Sequence, residues 1–245
     1  MPTLQSIREA LLSLRLRTMA EHLEAVLKQA HDKNQDAAFV LHHLLQLEAE
    51  MRWQRAIKRR LQQSRLPEKI TIDQFDFHHH HSRKQQKTAI LDLFNLNFIE
   101  RHADVILIGN PGTGKTFLAK ALAHAACNAN IKVLFTTAID MINHLAAAQA
   151  DQSLLKKLHA YQSPDLLICD ELGYLPLGPD GSNLFFQVIS HRHQGKSTLL
   201  TTNLPFAEWS DMFDSTSVAT AIADRLVLNS HVIVLGGTSY RRKNK

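Results

Sequence analysis

Residues 109–116 read Gly109-Asn110-Pro111-Gly112-Thr113-Gly114-Lys115-Thr116, directly after the apolar run Val105-Ile106-Leu107-Ile108. An apolar strand ending in this octapeptide makes a cradle for nucleotide phosphates. Gly109, Gly112 and Gly114 let successive backbone N–H groups turn toward phosphate oxygens where a Cβ would obstruct them. Lys115 supplies a mobile cation for the β- and γ-phosphates, and the Thr116 hydroxyl is placed to ligate Mg²⁺. The helix that follows offers its N-terminal dipole. A glycine-rich turn with no ligand would leave both Lys115 and Thr116 unexplained. Residues 109–117, through Phe117, are therefore the expected nucleotide-binding segment.

From residue 88 onward, helix-compatible stretches alternate with short β-rich runs at 105–108, 132–136, 166–169, 198–201 and 232–235. That alternation predicts an α/β fold with a five-stranded, doubly wound parallel sheet. The third run ends in Asp170-Glu171, so a strand delivers two acids to the carboxyl edge of the sheet, where ligands bind in such folds. Asp170 suits a Mg²⁺ ligand, and Glu171 suits a base that takes a proton from the water attacking the γ-phosphate. The fourth run ends in Asn203, which is either a sensor orienting that water or a turn asparagine before Pro205. An NKxD guanine-reading motif does not follow any of the strands, which favours adenine. Arg225 stands in the otherwise apolar stretch Ala221-Ile222-Ala223-Asp224-Arg225-Leu226. It either pairs within the chain, with Asp224 or a helix end, or neutralises a neighbouring subunit's γ-phosphate.

The first 66 residues hold no glycine, and their only proline is Pro2. Apolar residues recur there at helical steps: Leu4, Ile7, Leu11, Leu14, then Leu23, Val26, Leu27, then Phe39, Leu44, Leu47, Met51 after a cap at Asp36. This predicts a helical N-terminal domain over 1–70, its last helix ended by Pro67, then a linker over 71–87 and the nucleotide-binding domain over 88–245. The N-terminal domain carries a basic stripe of Arg52, Arg55, Lys58, Arg59, Arg60, Arg65 and Lys69 against the single acid Glu68. With a formal net charge of +5, the stripe is consistent with a polyanionic partner. The terminal cluster Arg241, Arg242, Lys243 and Lys245 is either a basic tail or a phosphate contact. His78 to His81 lie in the linker segment and read as solvated, because adjacent histidines in an extended chain point to alternate sides. Cys127 and Cys169 fall in apolar runs and read as buried free thiols. No apolar run is long enough for a membrane span and the charged start is unlike a signal peptide, which points to a cytoplasmic protein.

The segments GNPGTGKTFLAKAL, LLICDELGYLP, LFFQVISHRH, STLLTTNLPFAEW, AIADRL and SYR, in this order and spacing, resemble the IstB family. So do LRLRTMAEHLEAVL, LLQLEAEMRWQRAIKRRL and the Phe75-Asp76-Phe77 tripeptide near the N-terminus, so the likeness covers nearly the whole chain. IstB proteins are AAA+ ATPases that assist the transposase of certain bacterial insertion sequences, and they are similar to DnaC helicase loaders and DnaA initiators. The resemblance implies ATP and Mg²⁺ as ligands, Asp170 and Glu171 as Walker B, Asn203 as the first sensor and Arg225 as an arginine finger acting in trans. It also implies self-association into ATP-bridged oligomers, sequence-independent binding of double-stranded DNA through the basic stripe, and a cognate transposase as partner. A helicase loader is the alternative. Phe117 and Asn110 depart from the family's frequent histidine and proline without removing a group the chemistry needs. Only about ten residues follow the fifth strand, so a large C-terminal lid is not expected, and Arg241 lies near where a second sensor arginine would be sought. The pieces 138–148 and 152–162 form either a plain two-helix crossover or an added DNA-contact helix, with His144, Lys156 and Lys157 as contacts.

Overall fold

The computed structural model describes residues 3–240. The chain divides into two compact units, Met1–Arg59 and Arg60–Lys245. The first contains α1 (Leu4–Ser13), α2 (Arg17–Asp32) and most of α3 (Ala37–Gln63). Its core is small: Met19, Leu23, Val26 and Leu44, flanked by Leu11, Leu16, Leu27, Val40 and Leu47. Asp36 accepts the Phe39 N–H at 2.9 Å, as the sequence predicts for the start of α3. Leu16 cannot cap α2, and Glu48 does so from α3, accepting the N–H groups of Thr18 and Met19 at 2.8 and 3.2 Å. Burial alone would raise the Glu48 pKa, but these bonds and the one from Arg52 outweigh it and hold the carboxyl below its usual range.

The boundary between the units falls eleven residues before the expected one, and α3 stops at Gln63 rather than at Pro67. Two local features end it. The Ser64 hydroxyl donates to the Leu61 carbonyl, and Arg65 takes a left-handed φ of 56°. The Ser64 carbonyl then accepts the Phe135 N–H at 2.7 Å. Residues 71–87, expected to be a linker, are built into the second unit as a 3₁₀ turn (Ile72–Gln74) and α4 (His81–Gln85), with Phe75 and Arg83 buried.

The second unit continues with α5 (Lys87–Leu93), α6 (Asn97–Glu100), β1 (Asp104–Gly109), α7 (Lys115–Asn128), β2 (Val133–Thr137), α8 (Ala138–Ala150), α9 (Leu154–Gln162), β3 (Leu166–Leu172), α10 (Gly178–Arg192), β4 (Ser197–Thr202), a 3₁₀ segment (Phe206–Asp211), α11 (Thr216–Val227) and β5 (Ser230–Leu235). The five strands form one parallel sheet in the order β2-β3-β4-β1-β5. Side chains alternate between its faces as strand geometry requires. Ile106, Leu167, Cys169 and Leu200 pack under α8 to α11, whereas Val105, Leu107, Leu166, Ile168 and Leu199 pack under α5 to α7. Cys127 and Cys169 are buried free thiols. No helix among the described residues is long and apolar enough to cross a membrane.

The central places of β1, β3 and β4 bring the P-loop, Asp170-Glu171 and Asn203 to one carboxyl edge, with β4 between the other two strands. Beyond β5, residues 236–240 turn back onto the P-loop. The Tyr240 N–H reaches the Gly112 carbonyl at 3.0 Å.

Candidate functional site

The P-loop connects β1 to α7, and its shape depends on glycine at two tightly packed positions. Gly112 has φ of +80°, and a Cβ there would lie 2.1 Å from the Ser239 hydroxyl. Gly114 has φ of +101°, and a Cβ there would lie 2.7 Å from the Phe75 ring and 3.0 Å from the Arg83 guanidinium. Any side chain at either position would be both strained and blocked. Lys115 is buried at 7% exposure. Its ammonium donates to the carbonyls of Gly109 and Asn110 at 2.6 and 3.0 Å, which keeps it folded across the loop.

On the sheet side, Thr116 donates to Asp170 Oδ1 at 3.0 Å, and Thr201 donates to the same oxygen at 2.5 Å. The Thr201 hydroxyl also accepts the Glu171 N–H at 2.9 Å. One hydroxyl from β4 thus fixes both acids of β3. The register of β3 shifts between Cys169 and Leu172, and Glu171 adopts a left-handed φ of 61°. Such a conformation costs a β-substituted residue on the order of 1–2 kcal/mol. It leaves Asp170 buried at 3% exposure while the adjacent Glu171 is exposed. Asn203 follows directly on β4, and its amide oxygen is buried with no hydrogen-bond partner among the described residues. That orphaned acceptor fits a group that engages water or ligand.

Lys115, Thr116, Glu171 and Thr201 line a cavity of about 260 Å³ with Phe75, Arg83 and Tyr240. The donor set beside it, a threonine hydroxyl and a carboxylate 3.0 Å apart, is the hard-oxygen pair that suits Mg²⁺. Thr201 and Arg83 escaped the sequence reading. The Thr201-Thr202 doublet ahead of Asn203 was the only available signal for the first, and nothing local marks the second.

Other sequence-predicted residues lie elsewhere. Arg225 does not line the cavity of its own chain. Its guanidinium donates to the Ala221 carbonyl at 2.7 Å and stacks over the Phe186 ring at 4.8 Å, so a pair with Asp224 is not formed. In the basic stripe, Arg52 is bound to Glu48 at 2.8 Å and to the Arg15 carbonyl. Arg60 belongs to the second unit, where it holds Asn130. Arg55, Lys58, Arg59 and Arg65 are exposed. Arg65 lies beside the Tyr161 hydroxyl, whose pKa is raised by burial against the opposing pull of this arginine. His144 also meets that hydroxyl, at 2.9 Å. The histidine run is not uniformly solvated. His80 caps α4, accepting the Ser82 N–H, and His79 packs edge-on against Tyr240. Among the described residues, no cluster of three or more His, Cys, Asp or Glu could hold a metal. Arg241 and the rest of the terminal basic cluster lie outside the described residues.

Residues 9–245 match the family model described as IstB-like ATP binding protein. The chain belongs to this family. It is 39% identical over 238 residues to the insertion sequence IS21 ATP-binding protein of Pseudomonas aeruginosa, covering 97% of this chain and 89% of that one. It is 36% identical over 241 residues to the IS5376 ATP-binding protein of Geobacillus stearothermophilus, covering 98% and 95%. Solved structures share the fold at low identity. DnaA of Aquifex aeolicus bound to AMPPCP superposes with a TM-score of 0.59 at 17% identity, over 70% of this chain and about half (51%) of that one. The DnaC helicase loader superposes with a TM-score of 0.55 at 22% identity, over 67% and 96%. This IstB-like chain thus shares its nucleotide-binding fold with DnaA and DnaC, and its P-loop agrees with the ATP binding that the family description names.

Proposed function

We propose that this protein is an ATP-dependent, DNA-binding helper of insertion-sequence transposition. In this reading, ATP bridges neighbouring subunits, the assembly grips double-stranded DNA and activates a cognate transposase, and hydrolysis takes the assembly apart. The observation that carries the ATPase chemistry is the single Thr201 hydroxyl that fixes both Asp170 and Glu171 beside the P-loop cavity.

Within that site, backbone N–H groups of residues 112–116 hold the phosphates, and Lys115 exchanges its loop carbonyls for phosphate oxygens. Thr116 and Asp170 would hold Mg²⁺, which when bound neutralises charge on the β- and γ-phosphates. Asn203 orients the attacking water with its orphaned amide oxygen. Glu171 takes a proton from that water as its oxygen bonds to the γ-phosphorus and the bond to the β–γ bridging oxygen breaks, giving ADP and phosphate. Arg225 completes the site of a neighbouring subunit by neutralising γ-phosphate charge, a role supported by its half-buried place away from its own cavity.

DNA contact is assigned to the exposed Arg55, Lys58 and Arg59, with Arg52, Arg60 and Arg65 contributing only by leaving their intrachain partners. Such contacts neutralise phosphates without reading bases. Transposase partnership is supported by the insertion-sequence relatives.

The test is assembly. ATP with DNA is expected to shift wild-type protein from small species to large assemblies in sedimentation, with binding that weakens steeply with salt and shows little sequence preference. Arg225→Ala subunits bind ATP but fail to support hydrolysis by wild-type neighbours in mixing experiments. Normal turnover of pure Arg225→Ala protein removes the trans role. Capture of a replicative helicase and no transposase replaces the transposition reading with helicase loading.

A further inference from the structure

The P-loop is held by a buried cation that lines the same cavity. Arg83 on α4 is 3% exposed. Its Nε and Nη2 both donate to the Thr113 carbonyl, at 3.2 and 2.8 Å, and its Nη1 donates to the Asp76 carbonyl at 2.9 Å. The guanidinium lies over the Phe75 ring at 4.5 Å and the Tyr240 ring at 5.2 Å. Among the described residues it has no carboxylate within ion-pair distance, an unusual state for a buried arginine. Burial lowers its pKa, while Asp76 and Tyr240 act in the opposite sense, and an arginine in such a site keeps its charge at neutral pH.

The carbonyl that Arg83 holds belongs to the peptide between Thr113 and Gly114. A trans peptide is planar, and its C=O and N–H point to opposite sides. Fixing the Thr113 oxygen on Arg83 therefore fixes the direction of the Gly114 N–H. Gly114 and Arg83 line the same cavity. A cationic donor on the carbonyl also polarises the peptide and strengthens the N–H as a donor on the other side. Thr113 is anchored independently, since its hydroxyl donates to the Asn110 carbonyl at 2.8 Å, so rotation of this one peptide is the freedom that Arg83 removes.

We propose that Arg83 is a positioning residue of the ATP site, whose paired hydrogen bonds to the Thr113 carbonyl aim the Gly114 N–H at a nucleotide phosphate. The proposal rests on the ATP-binding reading of the cavity. It differs from a purely structural role, in which Arg83 only fastens residues 75–83 to the domain. A fastening residue changes stability, whereas a positioning residue changes phosphate affinity.

The experiment compares full-length wild type, Arg83→Lys and Arg83→Gln by titration with a fluorescent ATP analogue, competition with inorganic tripolyphosphate, ATPase KM and kcat, and the Tm of nucleotide-free protein. Arg83→Gln is expected to weaken both ATP and tripolyphosphate by about tenfold, the equivalent of one charge-assisted bond. KM rises accordingly, with a smaller change in kcat. Arg83→Lys restores part of the affinity, because one ammonium donor reaches the carbonyl without the fork. ATP affinity within about twofold of wild type in Arg83→Gln overturns the proposal, whatever happens to Tm. Should Arg83→Gln fail to fold, folded Arg83→Lys decides: several-fold weaker tripolyphosphate binding supports the proposal, and unchanged binding overturns it. Wild type that binds no ATP sinks the underlying reading instead, which keeps the two failures apart.

Discussion

Two buried aspartates flank β4 at its opposite ends, and they are held in different ways. At the amino end, Asp104 accepts the Thr198 N–H at 2.6 Å. The Thr198 hydroxyl in turn accepts from Arg192, which is 1% exposed and also donates to the carbonyls of Tyr161, Gln162, Pro164 and Ser197. At the carboxyl end, Asp170 takes hydroxyl bonds from Thr116 and Thr201 beside an open cavity. The fold supplies its own cation where the acid only joins strands. It leaves hydroxyls and an open wall where a ligand is to bring charge. Burial of an acid is therefore common to structure and function here, and the surroundings of the acid separate the two.

The largest effect on this contrast is expected at Glu171. Glu171→Gln removes the proposed base and should lower ATP turnover by about 10²–10⁴-fold while ATP binding and assembly on DNA persist, read by steady-state hydrolysis and sedimentation. Turnover reduced less than tenfold would transfer the base role to another group. Thr201→Val is next. It leaves the Glu171 N–H and Asp170 short of a partner at a buried position, costing about 1–3 kcal/mol, and should cut turnover by roughly one order of magnitude. A variant with lowered stability but normal turnover would make Thr201 structural, like Thr198.

The smallest effect is a pH dependence at the amino end. Burial raises the Asp104 pKa to about 7 against the opposing pull of the Thr198 N–H and Arg192. Burial likewise lowers Arg192 to about 10, with Asp104 and Asp165 acting the other way. The folded state keeps the Asp104 proton up to about pH 7, whereas the unfolded carboxyl releases it near 3.8. The contribution to stability is therefore complete below pH 4 and is lost as pH rises through 7. Asp104→Asn should flatten this slope, a change of a few degrees in Tm at about 2–4 °C per kcal/mol. An unchanged slope in thermal melts from pH 4 to 8 would assign the dependence to other groups.

The sheet side of the cradle was legible because its signals are local. A strand followed by GNPGTGKT and another followed by Asp-Glu mark their places within a few residues, and the parallel order then brings them together. The other side was not legible. Arg83 meets Thr113 thirty residues away, and Ser82 donates to the Gly236 carbonyl across 154 residues at 2.8 Å. His80 looked like one of four solvated histidines, yet its ring caps α4 and packs on Gly237. The end of α3 departs from the Pro67 stop for a related reason. Pro67 is a visible stop, but the left-handed Arg65 ends the helix earlier, where the Ser64 carbonyl accepts the Phe135 N–H of β2. Local rules mark where a helix can end, and tertiary contacts decide where it does.

The closure of the P-loop by residues 236–240 bears on how the protein is made. During synthesis, residues 109–116 leave the ribosome well before Ser239 and Tyr240, which seat against Gly112 and bond its carbonyl. Until then Arg83 lacks its second aromatic face. A nascent chain carries every phosphate-binding residue of the P-loop and still has no finished cradle. Closure of the P-loop by residues 236–240 is thereby deferred to chains whose five strands have all emerged.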